Sequence, residues 1–232
     1  MVLDRSEIRK NRMTTSLFRK NLMALTGLFL CIFLVIHLAG NLQLMLPEEK
    51  ALVQFNLYSR ILSGNYFIKA ISWLLFISIA VHTIYALIIT VKNRKASGMA
   101  YVHDRRAVAS SWYSRNMGLL GSIIFLFLII HLKDFWYEYN FHELPVDSEG
   151  NKDLFTVVVA AYGELWYVVL NIVAFLALGF HLLHGFYSAF KTLGAYRSRL
   201  SRWLYYVGVG FTLLLTSGFV FIPIYIFVKY HI

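Results

Sequence analysis

The sequence predicts an all-α integral membrane protein, a single bundle of five transmembrane helices, and three observations carry that reading. Charged residues are only 15% of the chain against 59% hydrophobic, where soluble domains carry about 25% charged residues. Five long runs contain no Asp, Glu, Lys or Arg: 21–46, 70–91, 116–132, 165–190 and 203–228. Charge alternates between the connections, since 1–20, 92–115 and 191–202 together hold 16 of the 22 cations and 3 of the 12 acids.

A spanning helix needs roughly 20 apolar residues at about 1.5 Å each. Open sheet edges cannot face lipid, and these runs are too long for barrel strands, so helices are the available solution. They are expected at about 21–46, 68–92, 114–139, 163–190 and 203–228, in a single membrane domain over 1–232. The third run is short and is expected to continue through Lys133 and Asp134 to about Tyr139. Only the last run contains a proline, Pro223, near its end. The first run is too long for a signal-peptide core and lacks a small-residue cleavage pattern, so it is expected to stay in the mature chain. Residues 1–20 are expected on the inner surface, with Leu17 and Phe18 at the interface. Between 47 and 67 apolar and polar residues mix, which predicts a short interfacial helix. The 141–153 segment is acidic, with Pro145 and Gly150 as turn formers.

Lys and Arg in short loops mark the cytoplasmic side, which puts the N-terminus inside and the C-terminus outside. Tyr and Trp near the run ends (Trp112, Trp136, Trp166, Trp203) make the expected interfacial belt. The net charge of +10 largely restates that bias; the same face could dock a soluble partner or anionic lipid. No soluble basic domain is available for nucleic acid. A single cysteine, Cys31, excludes an intrachain disulfide, and the lack of CxxCH means that any haem would be held by axial ligands alone.

Each of the first four runs carries one deeply placed histidine: His37, His82, His131 and His181. An ionisable side chain at membrane depth is costly and is by default a functional hypothesis. Each lies past the midpoint of its helix in the chain direction. Antiparallel neighbours therefore sort them into two layers, His37 with His131 in the outer half and His82 with His181 in the inner half, roughly 10 Å or somewhat more apart. Two imidazoles at one depth on facing helices can hold one haem iron from opposite faces. The expectation is two stacked b haems inside the bundle, with the four histidines as iron ligands. One buried histidine would be better explained by a hydrogen bond across helices; four in matched layers favour haem. A zinc or copper site would gather its ligands in one cluster. Gly27 and Gly121 each stand ten residues before the histidine of their helix, about 15 Å of rise. A missing side chain there would admit a flat macrocycle, and helix–helix packing explains it equally well. His184 shares a helix face with His181, and depth does not separate the two. His103, His142 and His231 are expected to be ordinary surface residues.

Read together, TGLFL with IHL in the first run, VHTIYALIITVKN in the second, IHLKDFW in the third and FHLLHGFYSAF in the fourth resemble the membrane anchor of succinate dehydrogenase and quinol:fumarate reductase, in the form with one five-helix subunit and two b haems. In that family the fourth-helix ligand is followed four residues later by Gly, an apolar residue and an aromatic. His181 with Gly185, Phe186 and Tyr187 matches, which leaves His184 as the alternative. The resemblance implies an outer haem on His37 and His131 and an inner haem on His82 and His181. It also implies menaquinone as substrate, and a flavoprotein and an iron–sulfur subunit on the cytoplasmic face of a bacterial inner membrane. It places no catalytic residue for the dicarboxylate in this chain. Arg19, Lys191 and Trp112 are candidates for meeting haem propionates. Some fumarate reductases of this type have a glutamate two residues before the ligand, where this chain has Gly179; that leans toward succinate oxidation. The competing readings are the anchor of another quinone-linked dehydrogenase or reductase, and a histidine-relay transporter. The latter would be expected to show intramembrane carboxylates or discontinuous helices.

Overall fold

The computed structural model describes residues 5–96, 111–195 and 198–232. The described residues are helical apart from their turns and one isolated bridge between Val146 and Lys152. Helix α1 spans Arg5–Asn41 and ends in a tight turn, Leu42–Met45. Helices α2 (Glu48–Gly64) and α3 (Tyr66–Ala96) follow. Next come a single turn, α4 (Trp112–Arg115), and α5 (Met117–His131). A wide π-type turn, Leu132–Tyr137, leads from α5 into α6 (Glu138–Phe141). Then come α7 (Leu154–Ala161), α8 (Leu165–Thr192) and α9 (Ser198–His231).

Five segments are long and apolar enough to cross a membrane: Leu17–Met45, Tyr66–Asn93, Met117–Phe141, Leu165–Thr192 and Arg199–His231. The chain is thus all-α, with the expected number of candidate spans. The first helix extends ahead of its apolar run, whose candidate span is Leu17–Met45. It begins at Arg5 rather than near 21, because 5–20 contain neither Gly nor Pro and nothing there interrupts a helix already under way. The third span passes through Lys133 and Asp134 as expected, by way of the π-turn directly after His131. Such wide turns are uncommon and cluster at functional sites.

Helix α8 is the centre of the bundle. In its most apolar window 44% of residues are buried, against 6% for α3 and for α5. It packs against α9, α5 and α1, and α1 packs against α3, while α3 meets α5 more loosely. The first four spans therefore form a ring in the order α1, α3, α5, α8, with α9 laid outside α8 and α1. In that ring α1 faces α5, and α3 faces α8, across the diagonals. The outward sides of α3 and α5 expose Ile77, Ile84, Leu87, Leu126 and Ile129, as lipid-facing surfaces do. With lipid outside, shape-matched packing rather than water exclusion holds such helices together.

One end of the ring is capped. The expected short helix between 47 and 67 is α2, with Glu48 and Glu49 in its first turn, where they complement the helix dipole. Asn65 ends it and caps α3, its Oδ1 accepting from the Phe67 and Ile68 amides at 2.9 and 3.3 Å. Helix α7 is a second cap element with no counterpart among the predicted helices. Asp153 is its N-cap, accepting from the Thr156 amide at 3.0 Å. Fully buried Asn56 ties the two together, accepting from the Phe155 amide at 2.9 Å and donating to Asp153 at 3.2 Å. Arg60 donates to Asn151 at 3.0 Å. In the acidic turn, Gly150 has φ 75, a conformation that favours glycine. Burial works against the charged form of Asp147. The Asn151 and Glu149 amides and the Asn151 and Asn56 side chains outweigh it and hold that carboxyl below the usual carboxylate range. Burial pushes the Tyr162 phenol up. Among the described residues, the opposite end carries Lys92, Arg115, Lys191, Arg199 and Arg202.

Candidate functional site: two histidine pairs on the bundle diagonals

The four membrane-depth histidines meet in two pairs, and each pair spans one diagonal of the ring. At the capped end His37 of α1 and His131 of α5 face each other, with ring centroids 5.7 Å apart and planes at 86°. Toward the basic end His82 of α3 and His181 of α8 face each other, centroids 6.3 Å apart and planes at 58°. Two rings sharing one metal from opposite sides, at about 2 Å per metal–nitrogen bond, have centroids roughly 6 Å apart.

The glycine spacing shows how far apart the pairs lie. A Cβ on Gly27 would stand 3.3 Å from Cε1 of His82, and one on Gly121 would stand 3.7 Å from Cε1 of His181. Both glycines are thus level with the basic-end pair. Both are ten residues before a histidine of the capped-end pair, so two helices independently give about 15 Å between levels.

The surroundings differ. Phe33 stacks on His37 at 5.2 Å, and Phe219 lies 5.9 Å from it. Phe127 and Phe135 flank His131 at 5.4 and 5.1 Å, one turn to either side. One turn beyond His37, Asn41 donates to the His37 carbonyl at 2.8 Å, with its amide nitrogen 3.5 Å from Nε2. The basic-end pair has the two bare glycines instead, and a hydroxyl: Thr26 Oγ1 lies 3.1 Å from His82 Nδ1.

The residues fit a flat group ligated from both sides. Nδ1 of His131 and Nδ1 of His181 are buried without any protein partner, which costs about 1–3 kcal/mol per atom when nothing else satisfies it. Gly27 and Gly121 leave backbone bare at the level of one pair. Among the described residues no three His, Cys, Asp or Glu side chains converge as a metal cage would require. What this donor set offers is two imidazoles per site.

The other sequence-predicted residues fall as follows. His184 does not join the pair; its ring lies against Tyr113 at 6.4 Å. Lys191 stands over the Tyr187 ring at 5.3 Å, and Trp112 packs edge-on to Phe180 at 5.8 Å. Arg19 is half-buried at the basic end of α1. A Cβ on Gly179 would fall 2.6 Å from Thr216 Oγ1, so no larger side chain fits there unless α9 gives way. His142 pairs with Glu138 at 2.8 Å on the surface, and Nε2 of His231 donates to the Val159 carbonyl at 3.2 Å. His103 lies outside the described residues. Sequence reasoning missed Thr26 and Asn41. Each had a local signal, Thr26 as the neighbour of Gly27 and Asn41 one turn after His37.

Comparison of the chain with protein-family models, with curated proteins and with solved structures finds no match.

Proposed function

We propose that this chain is the dihaem cytochrome b anchor of a succinate:quinone oxidoreductase. In that role it passes electrons between a cytoplasmic iron–sulfur subunit and menaquinone in a bacterial cytoplasmic membrane. The observation that supports this reading best is the arrangement of His37 with His131 and His82 with His181 on crossed diagonals at two levels. A haem held between His37 and His131, or between His82 and His181, would supply one-electron transfer rather than oxygen binding.

The chain's own residues do the rest. His37 and His131 would hold the outer group, and the phenylalanines around them keep water from it. His82 and His181 would hold the inner one, with Gly27 and Gly121 making room. The basic end is the docking face for the iron–sulfur subunit, which puts the N-terminus in the cytoplasm and leaves dicarboxylate chemistry to a flavoprotein partner. A transporter working by histidine relay is disfavoured by donors that meet in isolated pairs with no carboxylate between them.

The test is a reduced-minus-oxidised visible spectrum of the purified chain, together with the proteins that accompany it from gently solubilised membranes. Two bis-histidine b-type centres with a flavoprotein and an iron–sulfur protein support the reading. A flat spectrum defeats it, and two centres without those partners direct it to another quinone-linked enzyme.

A further inference from the structure

The two histidine pairs are not held alike, and one of the differences is a hydroxyl beside His82. Thr26 sits in α1 immediately before Gly27, buried to 8% exposure. Its Oγ1 lies 2.8 Å from the Leu22 carbonyl and 3.2 Å from the Met23 carbonyl, within its own helix. A threonine hydroxyl has one hydrogen and two lone pairs. The carbonyls can only accept, so that hydrogen points at the backbone. With the hydroxyl hydrogen on the backbone, Nδ1 of His82 at 3.1 Å is the donor to Oγ1, and the Met23 carbonyl stands beside it as a second acceptor. His82 is therefore the tautomer with hydrogen on Nδ1 and a free lone pair on Nε2. Nδ1 of His131 and Nδ1 of His181 have no hydrogen-bond partner in the protein, and the polar neighbour of His37 is the Asn41 amide, itself a donor.

We propose that Thr26 is a positioning residue for the basic-end site: it receives the Nδ1–H of His82, holds that ring with Nε2 as the ligating atom, and makes this imidazole the more basic ligand. A hydrogen bond from the far side of a ligating imidazole fixes its orientation and raises its basicity, and a more basic axial ligand favours the oxidised iron. Thr26 thereby lowers the reduction potential of the inner centre and leaves the outer one alone. This inference rests on the haem-holding reading proposed above.

The experiment is an optical redox titration of the purified full-length chain with its bound haems. Wild type, Thr26→Val and Thr26→Ser are compared, and each is repeated with His131→Ala so that only the basic-end centre remains. Valine keeps the volume and removes the acceptor; serine restores it. The expected result is an upward shift of one midpoint in Thr26→Val, the one that survives in the His131→Ala background, with serine at the wild-type value. Loss of that centre in the valine variant with retention in the serine variant supports the same role. No shift, an equal shift of both centres, or serine behaving as valine overturns it. A wild-type chain without haem defeats the proposed function itself, whereas two wild-type centres that ignore Thr26→Val defeat only this inference.

Discussion

The two histidine pairs share a donor set and differ in everything around it. The capped-end pair, His37 and His131, is packed among Phe33, Phe127, Phe135 and Phe219. The basic-end pair, His82 and His181, is flanked by two bare glycines and by the Thr26 hydroxyl. Ligand identity decides what can bind, while burial and outer hydrogen bonds decide how it behaves once bound. One pair joins the two helices that run toward the cap and the other joins the two that run away from it, which gives two pairs of the same donors in different surroundings.

The largest expected effects break one pair at a time. His131→Ala is expected to abolish the capped-end centre and spare the other, so that one of two components disappears from the reduced-minus-oxidised spectrum. Loss of the basic-end component instead would show the diagonals to be wrongly paired. His181→Ala is expected to remove the basic-end component and His184→Ala to leave both, since His184 lies against Tyr113; the reverse result would reassign the ligand.

A graded effect comes from the glycines. At Gly27 an added Cβ would sit 3.3 Å from the His82 ring, and at Gly121 it would sit 3.7 Å from the His181 ring. Gly121→Ala should therefore retain near-normal haem content, Gly27→Ala should lose part, and Gly27→Leu should lose most of the basic-end centre. Pigment-to-protein ratios read this order directly, and equal tolerance at both positions would remove the glycines from the site.

Smaller effects belong to the cap. Asn56→Ala leaves the Phe155 amide without its acceptor in a buried position and should cost about 1–3 kcal/mol. That would be seen as earlier thermal unfolding in detergent with both spectral components intact. The least effect is at Asp147. Its carboxyl is held below the usual range, so its support for the turn is complete above about pH 4, the unfolded value, and is lost as pH falls through the lower folded value. Hydrogen-exchange protection of the Glu149 and Asn151 amides, taken relative to the intrinsic rate at each pH, should fall under acid in wild type, and Asp147→Asn should flatten that dependence.

Much of this was legible in the chain itself. Five uncharged runs, a deep histidine in each of the first three and two in the fourth, and antiparallel alternation place His37 with His131 and His82 with a fourth-run histidine by depth alone, because rise per residue is a local property of a helix. The spacing from Gly27 to His37 and from Gly121 to His131 was readable in the same way. Other features were not. Whether His181 or His184 turns inward depends on which neighbour α8 meets, and the two differ by less than one turn. Thr26 and His82 are 56 residues apart, and no local pattern records such a meeting. Helix α7, eight residues long, is too short to announce itself by periodicity and owes its place to the buried Asn56. The sequence alone determined the spans, the charged ends and the levels of the donors, since these follow from hydropathy and helix rise. Only the tertiary structure decided the ring order, and with it the diagonals across which the donors meet. Lateral order arises from side chains packing between helices far apart in the chain, and hydropathy along one helix says nothing about which neighbour stands beside it.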